Sequence, residues 1–374
     1  MKKIVIVYNT SYYLYLFRKN LILELLRQGF EVHAVALEDK YTKSLLELGC
    51  GFTDVSVGSN SQSPLQDVLY CFKLYKKLKK LKPDLVLNYT AKPLIYGTLA
   101  AKASGIPVIN NIGGLGIGFT QKKLVTRILI FLYRLSQRKA DVVFFQNPDD
   151  MAMFKEKNMF KEGHAFLLPG SGVDLKNFAY KPLQKKDKIV FVLLARMLYS
   201  KGVILLLEAG DILLKKGFGN FEIRLVGEFG VKNIDCIPLV EKEKWSTYRH
   251  VKFIDKVDDV KPFLEEADCM VLPSYYREGT PRSVLEALAV GRPIITTHMP
   301  GCKETVEEGI NGYLCEPKDV NSLSDAMEKI LLASFEDLLR MGQHSRRMAE
   351  EKYDENIIFN LYTKHISALI SSKS

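Results

Sequence analysis

Tyr276-Arg277-Glu278-Gly279-Thr280-Pro281-Arg282-Ser283-Val284-Leu285-Glu286-Ala287 holds two glutamates with seven residues between them, on either side of a change in local structure. Glu278-Gly279-Thr280-Pro281 reads as a tight loop that breaks a strand, with glycine and proline as its punctuation. From Ser283 the chain reads as a helix. Glu278 therefore stands on the loop and Glu286 on the helix face, with the first N–H groups of the helix between them. A helix N-terminus favours anions. Amide donors flanked by two carboxylates suit a sugar nucleotide: the amides meet a diphosphate, and the carboxylates meet sugar and ribose hydroxyls. The competing reading is a surface helix that happens to carry two acids.

Outward from that stretch, short apolar runs alternate with helical patterns, which predicts parallel sheets in two α/β halves. In the first half the runs are Ile4–Tyr8, Val32–Ala36, Asp84–Thr90, Val108–Asn111 and Asp141–Gln146. In the second they are Lys188–Ala195, Phe221–Gly227, Val251–Ile254, Cys269–Pro273 and Pro293–Thr297. Lys176–Asp187 is polar, Lys-rich and contains Pro182, the composition of a linker. A chain of 374 residues is long enough for two cores. Asp354–Ser371 reads as a closing helix. The expected division is residues 1–175 and residues 176–353, with the helix over about 354–374 returning to the first domain in the fold that the resemblance given below implies.

The six cysteines are scattered without paired spacing, and several sit in apolar runs such as Asp268-Cys269-Met270-Val271. Buried thiols in a reduced cytosolic protein fit this better than a disulfide scaffold or a zinc site. The amino-terminal apolar run Ile4–Tyr8 is too short for a signal peptide and reads as a strand. No apolar stretch is long enough to span a membrane. Charge is unevenly placed. Residues 1–174 hold 24 Lys and Arg against 14 Asp and Glu, and the rest hold 29 of each, so the whole net charge of +10 sits in the first half. Such a half suits nucleic acid, an anionic membrane or an anionic substrate. For nucleic acid, aromatics should interleave with the cations as stacking platforms, and Leu74–Lys82 offers only Tyr75.

Residues 271–301 resemble the signature of retaining glycosyltransferases of family 4. That resemblance implies the GT-B fold, two Rossmann-like parallel-sheet domains facing across a cleft. It places Glu278 near the hydroxyls of the transferred sugar and Glu286 on the ribose, with Gly279, Thr280, Pro281, Arg282 and Ser283 in the donor site between them. Arg282 is expected in the loop facing the sugar, where it would read a substituent such as an acetamide. In Leu194-Ala195-Arg196-Met197-Leu198-Tyr199-Ser200-Lys201-Gly202, Arg196 and Lys201 follow a buried strand, at the end where ligands bind in open α/β sheets. By the resemblance they neutralise the leaving diphosphate in place of a metal. Neither a metal nor another cofactor is expected. Val257-Asp258-Asp259-Val260 resembles a segment whose backbone faces the nucleobase rather than a metal motif. The glycines of Pro300-Gly301-Cys302 and Asn311-Gly312 are expected to be structural.

After the first strand, Asn9-Thr10-Ser11-Tyr12-Tyr13-Leu14-Tyr15-Leu16-Phe17-Arg18 lacks the G-x-G-x-x-G of dinucleotide-binding folds. It resembles instead the subgroup reading N-T-x-x-Y-L-x-x-F-R, as do Tyr89–Gly97 and Ile109–Gly116. That subgroup builds bacterial surface glycans on polyprenyl diphosphate carriers. The implied acceptor residues are Asn9, Thr10, Arg18 and Lys92, although each of the two cations reads equally as a surface charge. The run Gly113–Gly118, with Gly114 at its centre, reads either as a close backbone approach to the donor phosphates or as a flexible turn. The six histidines form no evident constellation, so no cleft histidine is assigned. Gln121–Lys139 mixes an apolar run, Ile128–Leu132, with Lys122, Lys123, Arg127, Arg134, Arg138 and Lys139. It reads either as a helix resting on an anionic leaflet or as a core helix with a basic outer face, and the Lys-rich Tyr70–Lys82 adds to the same field.

The resulting expectation is a retaining, metal-independent transferase. It would move a sugar, N-acetylgalactosamine first among candidates, from a UDP-sugar to a glycan on undecaprenyl diphosphate, peripherally at the cytoplasmic face of the inner membrane. A sugar-nucleotide epimerase of the same fold and a basic nucleic-acid-binding protein are the alternatives. The first would need acid and base residues in the cleft, and no such set is visible.

Overall fold

The computed structural model describes residues 1–55, 63–116, 123–231, 233–245 and 247–371. Gly118 of the glycine run, and Gln121 and Lys122 of the basic segment, lie outside them. Two compact units divide the chain: Met1–Ser171 with Ile358–Ser374, and Gly172–Ile357.

The first unit holds strands β1 (Lys3–Thr10), β2 (Glu31–Leu37), β3 (Gly51–Asp54), β4 (Leu85–Tyr89), β5 (Val108–Ile112), β6 (Val142–Phe145) and β7 (Ala165–Leu167). They form a seven-stranded parallel sheet in the order β3-β2-β1-β4-β5-β6-β7. A parallel sheet covered on both faces needs apolar residues at every position, and β1 supplies them. Ile4, Ile6 and Tyr8 face one core, which the carboxyl-terminal helix Glu355–Ser371 closes with Ile358, Tyr362 and Ile366. Val5 and Val7 face the other, beneath the helices Pro64–Leu81 and Lys123–Gln137.

The second unit holds β8 (Ile189–Leu194), β9 (Phe221–Val226), β10 (Val251–Ile254), β11 (Cys269–Leu272), β12 (Ile294–Thr297) and β13 (Gly312–Cys315). Its order is β10-β9-β8-β11-β12-β13, again parallel throughout. Phe191 and Leu193 of β8 face one core, and Val192 and Leu194 face the other.

The strands that the sequence reading omits are β3, β7 and β13, all at sheet edges, where a strand is short and half covered and so carries a weak apolar run. Lys176–Asp187 departs from its reading as a linker. Its polar composition hides two anchors, Phe178 and Leu183, which enter the cores of the second unit. Lys181 N–H bonds the Val290 carbonyl at 3.1 Å. By contact, the two units divide at Ser171/Gly172 and at Ile357/Ile358.

Candidate active site

In the second sheet the strand order reverses between β8 and β11, and the crevice beyond the carboxyl ends of two such strands is the place where open α/β sheets bind ligands. The chain leaves β8 through Ala195–Lys201 and leaves β11 through Pro273–Pro281, so both motif stretches converge there. Two glycines permit the convergence. Gly202 adopts φ +76°, and a Cβ there would lie 2.2 Å from the Pro273 carbonyl oxygen. Gly301, at φ +85°, lets its backbone reach the Glu278-Gly279 loop, where a Cβ would meet the Gly279 carbonyl oxygen at 1.5 Å. Its structural role thus bears directly on where Glu278 sits.

Lys201 and Glu278 form an ion pair through Nζ and Oε1, with side chains 15% and 12% exposed. Ser274 Oγ lies 3.1 Å from the same Glu278 oxygen. Ser274 is a buried partner that the sequence reading missed, since a serine after a strand carries no motif. Beneath the pair, the Cys302 thiol is pushed up to about 12 by burial, with Glu278 adding to the effect, so it stays protonated. Arg196 is exposed and has no ion-pair partner among the described residues.

The helix Arg282–Val290 is buried along all of Val284–Val290, and Glu286 is embedded in that face. Burial pushes its carboxyl above the ordinary 4.5, and the Arg282 guanidinium pulls it partly back. Arg282 Nε donates to Glu286 Oε1 at 2.8 Å. The sequence reading put Arg282 in the loop. It is instead the first helical residue, and the i,i+4 spacing turns it onto the glutamate. Thr280 and Pro281 precede this helix, and Pro281 is its cap residue.

In the first sheet the order reverses between β1 and β4. The acceptor residues proposed from sequence gather at these two strand ends, but each has an internal partner. Asn9 Oδ1 accepts from Thr90 Oγ1 at 2.8 Å. Thr90 is held at φ 67°, an uncommon conformation for a β-branched residue. The Thr10 hydroxyl caps helix Ser11–Arg27 by accepting from Tyr13 N–H at 3.3 Å. Arg18 is buried, with its guanidinium 4.3 Å from the Tyr89 ring centroid, and its Nε has no hydrogen-bond partner among the described residues. Lys92 pairs with Asp67 at 2.8 Å. Neither cation is a loose surface charge. Gly114 has φ 92° and Gly116 φ 59°, so at these two positions the backbone takes a conformation that side-chain-bearing residues avoid.

The helix Lys123–Gln137 resolves its two readings by face. Leu129, Ile130, Leu132 and Tyr133 pack toward the core. Leu124, Ile128, Phe131 and Leu135 are 41–68% exposed in one row. The helix is anchored to the core side by Gln137, which donates to the Leu94 carbonyl at 2.8 Å and accepts from Asn110 Nδ2 at 2.6 Å. No helix among the described residues is long and apolar enough to cross a membrane.

Residues 176–348 match the model of glycosyl transferases group 1, and residues 3–147 match a glycosyl transferase 4-like model. The N,N'-diacetylbacillosaminyl-diphospho-undecaprenol alpha-1,3-N-acetylgalactosaminyltransferase of Campylobacter jejuni is 30% identical, over 96% of both chains. The chain is a group 1 glycosyltransferase. The UDP-Gal:alpha-D-GlcNAc-diphosphoundecaprenol alpha-1,3-galactosyltransferase of Escherichia coli is 26% identical over 72% of this chain and 71% of that one. Among solved structures, Anabaena Alr3699/HepE, crystallised with UDP and glucose, superposes with a TM-score of 0.78 at 16% identity, covering 98% of this chain and 100% of that one. The likeness shows the shared GT-B fold. Family membership sets aside the nucleic-acid and epimerase readings of this glycosyltransferase.

Proposed function

We propose that this glycosyltransferase takes a UDP-activated sugar, with N-acetylgalactosamine as the first candidate, and transfers it with retention of configuration. The acceptor is a glycan carried on undecaprenyl diphosphate. The observation that carries the donor half of this reading is the Lys201–Glu278 pair beside the start of helix Arg282–Val290, with Glu286 buried behind it. Each member of the pair faces the other. A sugar diphosphate separates their tasks: Lys201 turns to phosphate, and Glu278 accepts from sugar hydroxyls. Arg196, exposed and unpaired among the described residues, supplies a second cation for the departing diphosphate, and the first-turn amides of the helix add oriented dipoles. Glu286 accepts from the ribose hydroxyls. As the sugar C1–phosphate bond loosens, these groups stabilise the developing phosphate charge. The acceptor hydroxyl attacks from the same face, and the leaving phosphate takes its proton. No protein nucleophile and no metal is required.

The acceptor half of the reading is supported by the two relatives, both named for diphospho-undecaprenol substrates, and by the basic first unit. Its buried Arg18 and its Lys92 would meet the diphosphate once Asp67 yields. Peripheral contact with an anionic inner leaflet at the cytoplasmic face fits the exposed row on helix Lys123–Gln137. It also fits a second row on helix Pro64–Leu81, where Leu65, Val68, Leu69 and Phe72 are 44–83% exposed.

The test offers the purified protein a panel of UDP-sugars and a polyprenyl-diphosphate-linked diacetylbacillosamine, with the product read by mass spectrometry and by NMR of the new anomeric centre. The expected product gains one N-acetylhexosamine in α linkage, and EDTA leaves the rate unchanged. A β linkage would overturn retention. Loss of activity in EDTA, restored by magnesium or manganese, would overturn the metal-free mechanism.

A further inference from the structure

We infer that Asp235 is a positioning residue for sugar transfer, fixing through Ser200 the turn that carries Lys201. The inference rests on the reading of Lys201 as a donor-diphosphate cation. Asp235 belongs to none of the sequence motifs. It lies on the connection after β9, which doubles back beside the connection after β8. Ile237 N–H bonds the Met197 carbonyl at 3.0 Å, Leu198 and Cys236 pair as an isolated antiparallel bridge, and Tyr199 N–H bonds the Asp235 carbonyl at 3.0 Å.

At the end of this short ladder one carboxylate oxygen, Asp235 Oδ2, accepts from Ser200 N–H at 3.0 Å and from the Ser200 hydroxyl. The Ser200 carbonyl is held from the opposite side, accepting from Tyr275 N–H at 2.9 Å, with Ser274 Oγ 3.2 Å away. Ser274 Oγ in turn reaches Glu278. Ser200 is 4% exposed, and all three of its polar groups are thus engaged by protein. It is the joint between the β9 connection and the loop that bears Glu278, and the next residue, Lys201, reaches Glu278 directly. A buried N–H and hydroxyl that lose a charged acceptor are costly to leave unmet, so removing the Asp235 carboxylate frees the turn to move. A shift of the Lys201 amine by a fraction of an ångström matters most in the transition state, where charge on the departing phosphate is greatest.

The test is a double-mutant cycle on the full-length enzyme, with UDP-sugar turnover as the readout. Asp235→Ala should lower kcat about tenfold while changing the donor KM by less than about threefold. Asp235→Asn, which keeps an acceptor oxygen in place, should recover most of that loss. In a Lys201→Ala background, Asp235→Ala should cost no more than about twofold further, because its effect runs through the missing amine. An unchanged kcat in Asp235→Ala, or a loss that repeats in full in the Lys201→Ala background, would overturn the inference. If Lys201→Ala itself turns over normally, the donor-site reading fails first, and this inference falls with it. Should Asp235→Ala not fold, Ser200→Ala enters the same cycle with the same expected non-additivity.

Discussion

Two helices of this molecule invert the usual rule of burial in opposite senses. Arg282–Val290 is sunk in the second unit and carries a carboxylate, Glu286, inside it. Lys123–Gln137 lies on the first unit and carries Leu124, Ile128, Phe131 and Leu135 outside it. Buried polar groups and exposed apolar rows are the informative exceptions in a folded chain. On the proposed function, the first inversion belongs to a small ligand site, where a buried carboxylate is held for a specific hydrogen-bonding partner. On the same proposal, the second belongs to a broad surface, where exposed apolar side chains meet a partner with no fixed geometry. One helix thus reads as donor recognition and the other as lipid contact, and separate substitutions can break each reading.

The largest effect is expected at the ion pair. Lys201→Ala should lower kcat about a hundredfold, by analogy with the loss of one preorganised oxyanion donor. Glu278→Ala should likewise act mainly on kcat, since contacts to the sugar tighten as the transition state forms. Steady-state kinetics with a saturating acceptor would read both, and wild-type kcat in either folded variant would remove its residue from the donor site.

Glu286 sharpens the same side of the comparison through pH. Its carboxyl is raised above the ordinary range, chiefly by burial, and only the ionised form is acceptor-only, with no O–H turned against the ribose donors. Donor kcat/KM should therefore fall on the acid side at a pH above that of an ordinary glutamate, and Glu286→Gln should lose that limb. For stability the sign is opposite. Folding favours the protonated form, so ionising Glu286 costs stability as pH rises from 4.5 through the raised value.

The two helices were not equally legible in the sequence. Arg282–Val290 was readable because loop chemistry and an apolar run bracket the acids: Gly279 and Pro281 announce the turn, and Val284–Val290 is apolar except for Glu286. What stayed hidden there was the support. Gly301 is legible as a structural glycine, but its approach to the Gly279 carbonyl, like the bond of Ser274 to Glu278, depends on contacts that no local pattern encodes. The outer face of Lys123–Gln137 could not be assigned from sequence, because Ile128–Leu132 is apolar all round and only packing decides that Ile128 and Phe131 face out while Leu129 and Leu132 face in. The row on Pro64–Leu81 was overshadowed by its lysines. The internal partners of Arg18 and Lys92, Tyr89 and Asp67, likewise come from other elements.

On the lipid side, Ile128→Glu combined with Phe131→Glu should weaken binding to vesicles of anionic phospholipid by about tenfold or more, since each is already about half covered by the fold and can add only roughly half of the ~1.5–3 kcal/mol of a fully buried apolar side chain. Transfer to a membrane-embedded acceptor should slow in parallel, while a short soluble acceptor analogue reacts at the wild-type rate. Equal loss on both acceptors would assign the row to the fold or the active site. A smaller effect is expected from salt. Each cation near the leaflet contributes about 1 kcal/mol at most, so raising ionic strength should weaken vesicle binding without abolishing it.

Titration calorimetry with UDP alone tests the donor assignment most directly, because it needs neither the acceptor nor the correct sugar. The wild-type protein should bind UDP, and Glu286→Ala should weaken that binding by about tenfold, the scale of one lost hydrogen bond to a charged group. An unchanged dissociation constant in folded Glu286→Ala, or no UDP binding to the wild-type protein, would contradict the placement of the nucleotide at this helix.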